Sequence, residues 1–82
     1  DPADYYNLGH KHAEEENWDE AINHFRRAID LEPTMTDAIY NLAVCYEKAG
    51  LAPQAKSAWQ SYHDAITNEE EKGKVREHIE SL

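Results

Sequence analysis

The stretch YNLGHKH at residues 6–12 has a counterpart in YNLAVCY at residues 40–46, and the two share the tripeptide Tyr-Asn-Leu 34 positions apart. Alignment of residues 2–35 with residues 36–69 extends the likeness to both halves of the chain. Similar side chains then coincide: Tyr5 with Ile39, Gly9 with Ala43, His12 with Tyr46, and Phe25 with Trp59. A period of this length indicates two copies of one supersecondary unit.

Helical periodicity runs along nearly the whole chain. Apolar residues recur every three or four positions, and no segment alternates apolar and polar residues as a strand does. The sequence therefore predicts an all-α fold of five helices, arranged as antiparallel hairpins that stack in chain order.

Caps, prolines and glycines predict where each helix begins and ends. Asn17 with Glu20, and Asn68 with Glu71, match the spacing of a capping box, which starts a helix. Proline favours the first turn, whereas a later proline or a left-handed glycine ends a helix. The predicted helices run from Asp1 and Pro2 to the acidic run at 14–16, from Asn17 to before Pro33, from Thr36 to Ala49 before Gly50, from about Pro53 to Ile66, and from Asn68 onward.

The apolar stripes predict the core. Gly9 and Ala43 leave space where helices cross closely, and Leu8 and Leu42 are expected to be equivalent core residues. Cys45 is expected to be a half-buried small apolar residue without catalytic activation. The remaining predicted core residues include Tyr5, His12, Ala21, Ile22, Phe25, Ala28, Ile39, Tyr46, Ala55, Ala58, Trp59, Tyr62, Val75 and Ile79.

Length and composition exclude several classes of protein. The 82 residues are enough for one small domain, and no apolar run approaches the ~20 residues of a membrane span. The formal charge of −9 would repel phosphate backbones, so nucleic-acid binding is not expected and a neutral or basic protein partner is favoured. The lone cysteine fits a reducing compartment; the cytoplasm is favoured, although the sequence does not fix the location.

The 34-residue helix-turn-helix period resembles the tetratricopeptide repeat family. The first repeat carries Leu8-Gly9, NWDEA at 17–21, Phe25 and Pro33 in the family's pattern, and its core departure is His12, where tyrosine is usual. The second departs at Tyr62, where a small residue is usual, and at Thr67, where proline is usual. The resemblance implies a right-handed superhelix of one domain at 1–82, with repeats at about 2–35 and 36–68 and a capping helix at about 69–82.

The resemblance also implies a concave groove lined by the first helix of each repeat. Its expected function is that of an adaptor which binds a peptide or helix of a partner protein; the alternative is a scaffold that self-associates into a homo-oligomer. The asparagines either grip a peptide backbone or only bond to neighbouring helices within the superhelix. The expected peptide-binding residues are Tyr6, Asn7, His10, Asp37, Tyr40, Asn41, Val44 and Lys48.

One branch of the family binds the C-terminal carboxylates of chaperones through a clamp of Lys, Asn and Arg. Asn41 matches that clamp, but Tyr6 and His10 occupy positions where the clamp has Lys and Asn. The expected groove also carries Asp37, Glu47 and Glu71, so it lacks the fork of donors that a carboxylate needs. Binding of a chaperone tail is therefore disfavoured.

Catalytic and metal-binding patterns are weak in this sequence. His10 and His12 point about 200° apart on a helix, and His24, His63 and His78 show no paired spacing. The acidic runs at 14–16 and 69–71 fit solvated helix ends, because neither lies in a glycine-punctuated loop. The sequence predicts no enzyme activity, no metal and no cofactor.

Overall fold

The computed structural model describes residues 1–82 and contains five α-helices without a strand. The helices are α1 Pro2–Glu14, α2 Trp18–Leu31, α3 Thr36–Lys48, α4 Ala52–Ala65 and α5 Glu69–Ser81. The predicted all-α class and the number of helices are confirmed, and the helix ends fall within one or two residues of the predicted ones.

Two equivalent turns close the first helix of each hairpin. Glu16 and Gly50, which are 34 positions apart in the sequence, are the two residues with positive φ, at 59° and 79°. Asn17 N–H donates to the carbonyl of His12 at 2.9 Å, and Leu51 N–H donates to that of Tyr46 at 2.8 Å. These are the long bonds of a Schellman motif. The backbone therefore repeats even where Glu replaces Gly.

All three predicted cap residues begin a helix, and two of them make the expected side-chain hydrogen bond. The Asp1 carboxylate accepts from Ala3 N–H at 3.0 Å, and Asn68 Oδ1 accepts from Glu71 N–H at 2.8 Å. The predicted helix start at Asn17 is confirmed, because Asn17 is the N-cap of α2, but its side chain makes no capping bond. The Schellman bond of its own N–H already fixes Asn17 as the end of the preceding turn.

Each helix packs against its neighbour in the chain, and α1 also touches α3. Gly9 confirms the expected close crossing, since a Cβ built there would lie 2.8 Å from the Phe25 ring, which is itself 1% exposed. The buried core consists of Ala21, Ile22, Phe25, Ala28, Ala38, Ile39, Leu42, Ala43, Cys45, Ala55, Ala58, Trp59, Tyr62 and Val75.

The prediction that Leu8 matches Leu42 as a core residue is wrong. Leu42 is 9% exposed, whereas Leu8 is 41% exposed. Within the chain α3 packs against both α2 and α4, but α1 packs mainly against α2, so the side of α1 that carries Leu8 is uncovered. Cys45 was expected to be half-buried, but it is fully buried, at 2% exposure.

All five helices are too short and too polar to cross a bilayer.

Candidate binding groove

A groove of about 620 Å³ lies between α3, α4 and α5, and we call it the terminal groove. The second hairpin supplies one wall and the floor, and α5 supplies the other wall. Its lining residues are Tyr40, Val44, Glu47, Lys48, Trp59, Tyr62, Glu71, Lys74, Val75 and His78.

The floor of the terminal groove is aromatic. Tyr40 meets Trp59 edge to face at a centroid distance of 5.1 Å and meets Tyr62 in the same way at 5.4 Å. Trp59 and Tyr62 are buried, but Tyr40 is 44% exposed. Edge-to-face contacts of this kind hold rings in fixed positions. The groove therefore offers a rigid apolar surface with one accessible tyrosine.

Hydrogen bonds fix α5 against α3 and α4. Glu47 Oε2 accepts from the indole N–H of Trp59 and lies 2.6 Å from Nε2 of His78. The Tyr62 hydroxyl donates to Glu71 Oε1 at 2.9 Å. Because Glu47 bonds to both α4 and α5, it joins the floor of the groove to its far wall.

Burial and the bond to Glu71 both favour the neutral form of Tyr62. Burial first, and then the hydrogen bond to the Glu71 carboxylate, raise the pKa of the Tyr62 phenol from 10.0 to about 12. The phenol consequently remains a hydrogen-bond donor throughout the neutral pH range, and it keeps Glu71 in place at the wall of the groove.

The charges around the terminal groove are balanced, although the chain as a whole is acidic. Two carboxylates, Glu47 and Glu71, lie there with two amines, Lys48 and Lys74. Both carboxylates already accept hydrogen bonds from groove side chains, whereas both lysines are exposed. The groove thus has an apolar centre with a rim of mixed charge.

A second cavity of about 220 Å³ adjoins the terminal groove through Val44, which lines both. We call it the hairpin pocket, because it lies between the first hairpin and α3. It is lined by His10, Ala13, Glu14, Trp18, Phe25, Asn41, Val44 and Cys45.

The structure brings part of the predicted site together. Tyr40, Val44 and Lys48 line the terminal groove, and His10, Asn41 and Val44 line the hairpin pocket. The other three predicted residues, Tyr6, Asn7 and Asp37, line neither cavity.

Tyr6 and Asn41 are engaged with each other. Asn41 Nδ2 donates to the Tyr6 hydroxyl at 3.1 Å, and the Tyr6 ring packs edge-on against Phe25 at 5.7 Å. This bond connects α1 with α3. It matches the alternative in which the asparagine bonds to a neighbouring helix, and it leaves Tyr40 as the exposed member of the tyrosine pair.

Sequence reasoning placed Glu71 of α5 in the groove, but it did not assign Trp59, Tyr62 or His78 to that site. Trp59 and Tyr62 belong to the core and His78 is exposed, as predicted, and all three also line the terminal groove. The departure of Tyr62 from the family pattern was the available signal, because an unusually large side chain at the last hairpin indicates a changed neighbour. Nothing in the sequence signals the bond between His78 and Glu47.

Comparison with known proteins agrees with the fold. A family model described as the tetratricopeptide repeat matches residues 12–68, which is more than half of the chain, and the chain therefore belongs to this family. The match runs from the last turn of α1 to the cap of α5. No curated protein matches the chain. Tetratricopeptide repeats are typically non-catalytic modules for protein–protein interaction or scaffolding.

Proposed function

We propose that this chain is an adaptor module that binds a segment of a partner protein in the terminal groove. The observation that supports it most is the exposure of Tyr40 above a buried floor of Trp59 and Tyr62. Tyrosine and tryptophan are enriched at binding hot spots because they bring a large contact area at a low entropic cost. The floor is already held in place, so binding there costs little further ordering.

The proposed partner segment is apolar at its centre and neutral or basic at its flanks. An apolar side chain would cover the Tyr40 ring, which the solvent otherwise contacts. The charge of −9 attracts basic segments and repels acidic ones over distances longer than the groove itself. The terminal groove suits an extended peptide or one face of a helix.

A peptide-display selection tests this proposal. We expect the selected peptides to combine apolar residues with Lys or Arg, and acidic C-terminal tails of the chaperone type to be absent. Replacement Tyr40→Ala should weaken binding of the selected peptides by about 30-fold or more, since hot-spot truncations cost about 2 kcal/mol or more. The affinity is measured by calorimetry.

The matched control is Leu31→Ala, because Leu31 is a large apolar residue that is 52% exposed and lies outside the terminal groove. It should leave the affinity unchanged, and circular dichroism should show that both variants remain helical. Equal losses in the two variants, or none in Tyr40→Ala, would contradict the assignment of the groove.

Self-association is the second candidate function, and the uncovered Leu8 favours it. A second copy of the chain would bury this side chain by packing against α1, as α2 and α4 do for Leu42 in the next hairpin. Sedimentation over a wide concentration range separates the candidates. A strictly monomeric chain contradicts self-association, and a dimer that Leu8→Glu dissociates supports it.

A further inference from the structure

Three potential metal ligands converge on the outer side of the first hairpin. His12 lies in the last turn of α1, and Glu20 and His24 lie one turn apart on α2. Their ligand atoms all lie within 4.8 Å of one another. None of the three lines the terminal groove or the hairpin pocket, so the cluster is separate from the site proposed above.

The two imidazoles are already oriented together. The rings of His12 and His24 lie nearly parallel, with centroids 5.2 Å apart and an interplanar angle of 13°. Residues Glu20 and His24 are four apart on one helix, so that their side chains share a face. The hairpin therefore brings two imidazoles and one carboxylate close together.

An unpartnered polar atom marks the cluster independently. Nδ1 of His12 is buried and has no hydrogen-bond partner. Oε1 of Glu15 lies 3.8 Å from this nitrogen, which is too far for a hydrogen bond. A buried polar atom without a partner is costly, because it has lost its contacts with water. Ligation through Nδ1 would give this atom a partner and offset that cost.

We propose that His12, Glu20 and His24 form a binding site for a transition-metal ion of the Zn²⁺ class, with water as the fourth ligand. Two imidazoles and a carboxylate are a donor set that Zn²⁺ accepts, with metal–ligand bonds of about 2.0–2.2 Å. Tetrahedral bonds of that length place ligand atoms about 3.3–3.6 Å apart. Binding therefore requires side-chain rotations that shorten the present separations of up to 4.8 Å; Glu20 is exposed and the histidines are half-buried.

A metal bound here would fasten α1 to α2 beside the turn that joins them. This departs from the sequence-based prediction of no metal, which compared histidine spacings along the chain and did not consider pairing across a hairpin. The metal would add to the contact that already holds α1, which packs mainly against α2. The available sequence signal is Glu20 with His24 on one face, opposite a histidine at the position where the next repeat has Tyr46.

Titration with Co²⁺ and Zn²⁺ as the only added ligands tests the site. The wild type should bind one Zn²⁺ saturably, Co²⁺ should give the intense visible absorption of a tetrahedral complex, and Zn²⁺ should raise the melting temperature. Loss of a ligand in Glu20→Gln or His24→Gln should weaken binding by at least about 10- to 100-fold, the effect that even outer-shell changes produce.

The variant His12→Tyr also removes one ligand and should preserve the packing, because Tyr46 occupies the equivalent position in the second repeat. His63→Gln is the matched control, since His63 lies on α4 beside Asp64 and outside the cluster. It should bind Zn²⁺ as the wild type does. Titration of ¹⁵N-labelled protein should shift the ring resonances of His12 and His24 and leave that of His63 in place.

Three outcomes would overturn the proposal. The first is the absence of saturable Zn²⁺ binding, and the second is binding that survives unchanged in both His12→Tyr and His24→Gln. The third is an equal loss in His63→Gln, which would indicate scattered binding to surface histidines. Circular dichroism without metal establishes that each variant is folded, so that a loss of binding reports the site.

Discussion

Glu16 shows how strongly the repeat constrains a single backbone position. It takes the left-handed conformation that Gly50 takes one repeat later, although Glu has a Cβ and Gly has none. An L-residue in this conformation costs about 1–2 kcal/mol. The Schellman bonds of the turn hold it there, because they satisfy carbonyls at the end of α1. Sequence patterns mark left-handed turns by glycine, so the end of α1 in the acidic run at 14–16 was predicted but the left-handed conformation of Glu16 was not.

Replacement of Glu16 by glycine should stabilise the protein. The strain of about 1–2 kcal/mol is removed, and the entropy cost of glycine, about 0.5–1 kcal/mol, offsets part of it. We expect a net gain of about 0.5–1 kcal/mol in the free energy of unfolding, measured by urea denaturation. Glu15→Gly is the matched control: it removes the same charge at a residue whose φ is −87°, and it should destabilise. A loss of stability in Glu16→Gly would contradict this account of the turn.

At the scale of the elements, α5 converts the second hairpin into a groove. It packs against α4. Glu47 on α3 bonds to His78 on α5, and Glu71 on α5 accepts a hydrogen bond from the Tyr62 hydroxyl on α4. Asn68 fixes the start of the helix by accepting from Glu71 N–H. The Glu71 side chain does not return this bond to Asn68; it accepts from Tyr62 instead. The same glutamate thus belongs both to the helix start and to the groove wall.

Loss of the cap on α5 should loosen the terminal groove locally. Asn68→Ala should cost about 1 kcal/mol and increase amide hydrogen exchange in the first turn of α5. Asn17→Ala is the matched control at the start of α2, where the side chain makes no capping bond, and it should stay within about 0.5 kcal/mol of the wild type. Similar effects of the two replacements on stability and exchange would contradict the assigned difference between the caps.

The helices were predictable from the sequence because caps, prolines and the glycine at position 50 act locally. The placement of α5 was only partly predictable. Its apolar face was visible in Val75 and Ile79, but the partners of Glu47 and Glu71 depend on how α5 docks. The prediction that Leu8 is buried was wrong for the same reason. The repeat pattern identifies equivalent positions, but it does not tell whether a neighbouring helix covers them.

At the scale of the whole molecule, two buried weak acids, the Cys45 thiol and the Tyr62 phenol, make the free energy of unfolding depend on pH in the alkaline range. Burial raises the pKa of the Cys45 thiol from 9.0 to about 11, and burial with the Glu71 bond raises that of Tyr62 from 10.0 to about 12. Both groups are neutral when protonated, so folding favours their protonated forms. Their contribution is complete below the unfolded-state values and is lost as the pH rises through the folded-state values.

We therefore expect the free energy of unfolding to fall between about pH 9 and pH 12, with a slope of up to about 1.4 kcal/mol per pH unit for each group. Cys45→Ala should remove the component between about pH 9 and pH 11, and Tyr62→Phe the component between about pH 10 and pH 12. Denaturation curves at a series of pH values measure both. Unchanged slopes in the two variants would contradict these assignments.

The central claim is that a protein segment binds between α3 and α5, and the two tryptophans test it most directly. The Trp59 indole N–H donates to Glu47 in the terminal groove, whereas Trp18 lines only the hairpin pocket. When a selected peptide is titrated into ¹⁵N-labelled protein, we predict that the Trp59 indole resonance moves in a saturable way and that the Trp18 resonance moves much less. Saturable binding that leaves the Trp59 resonance in place would contradict the claim.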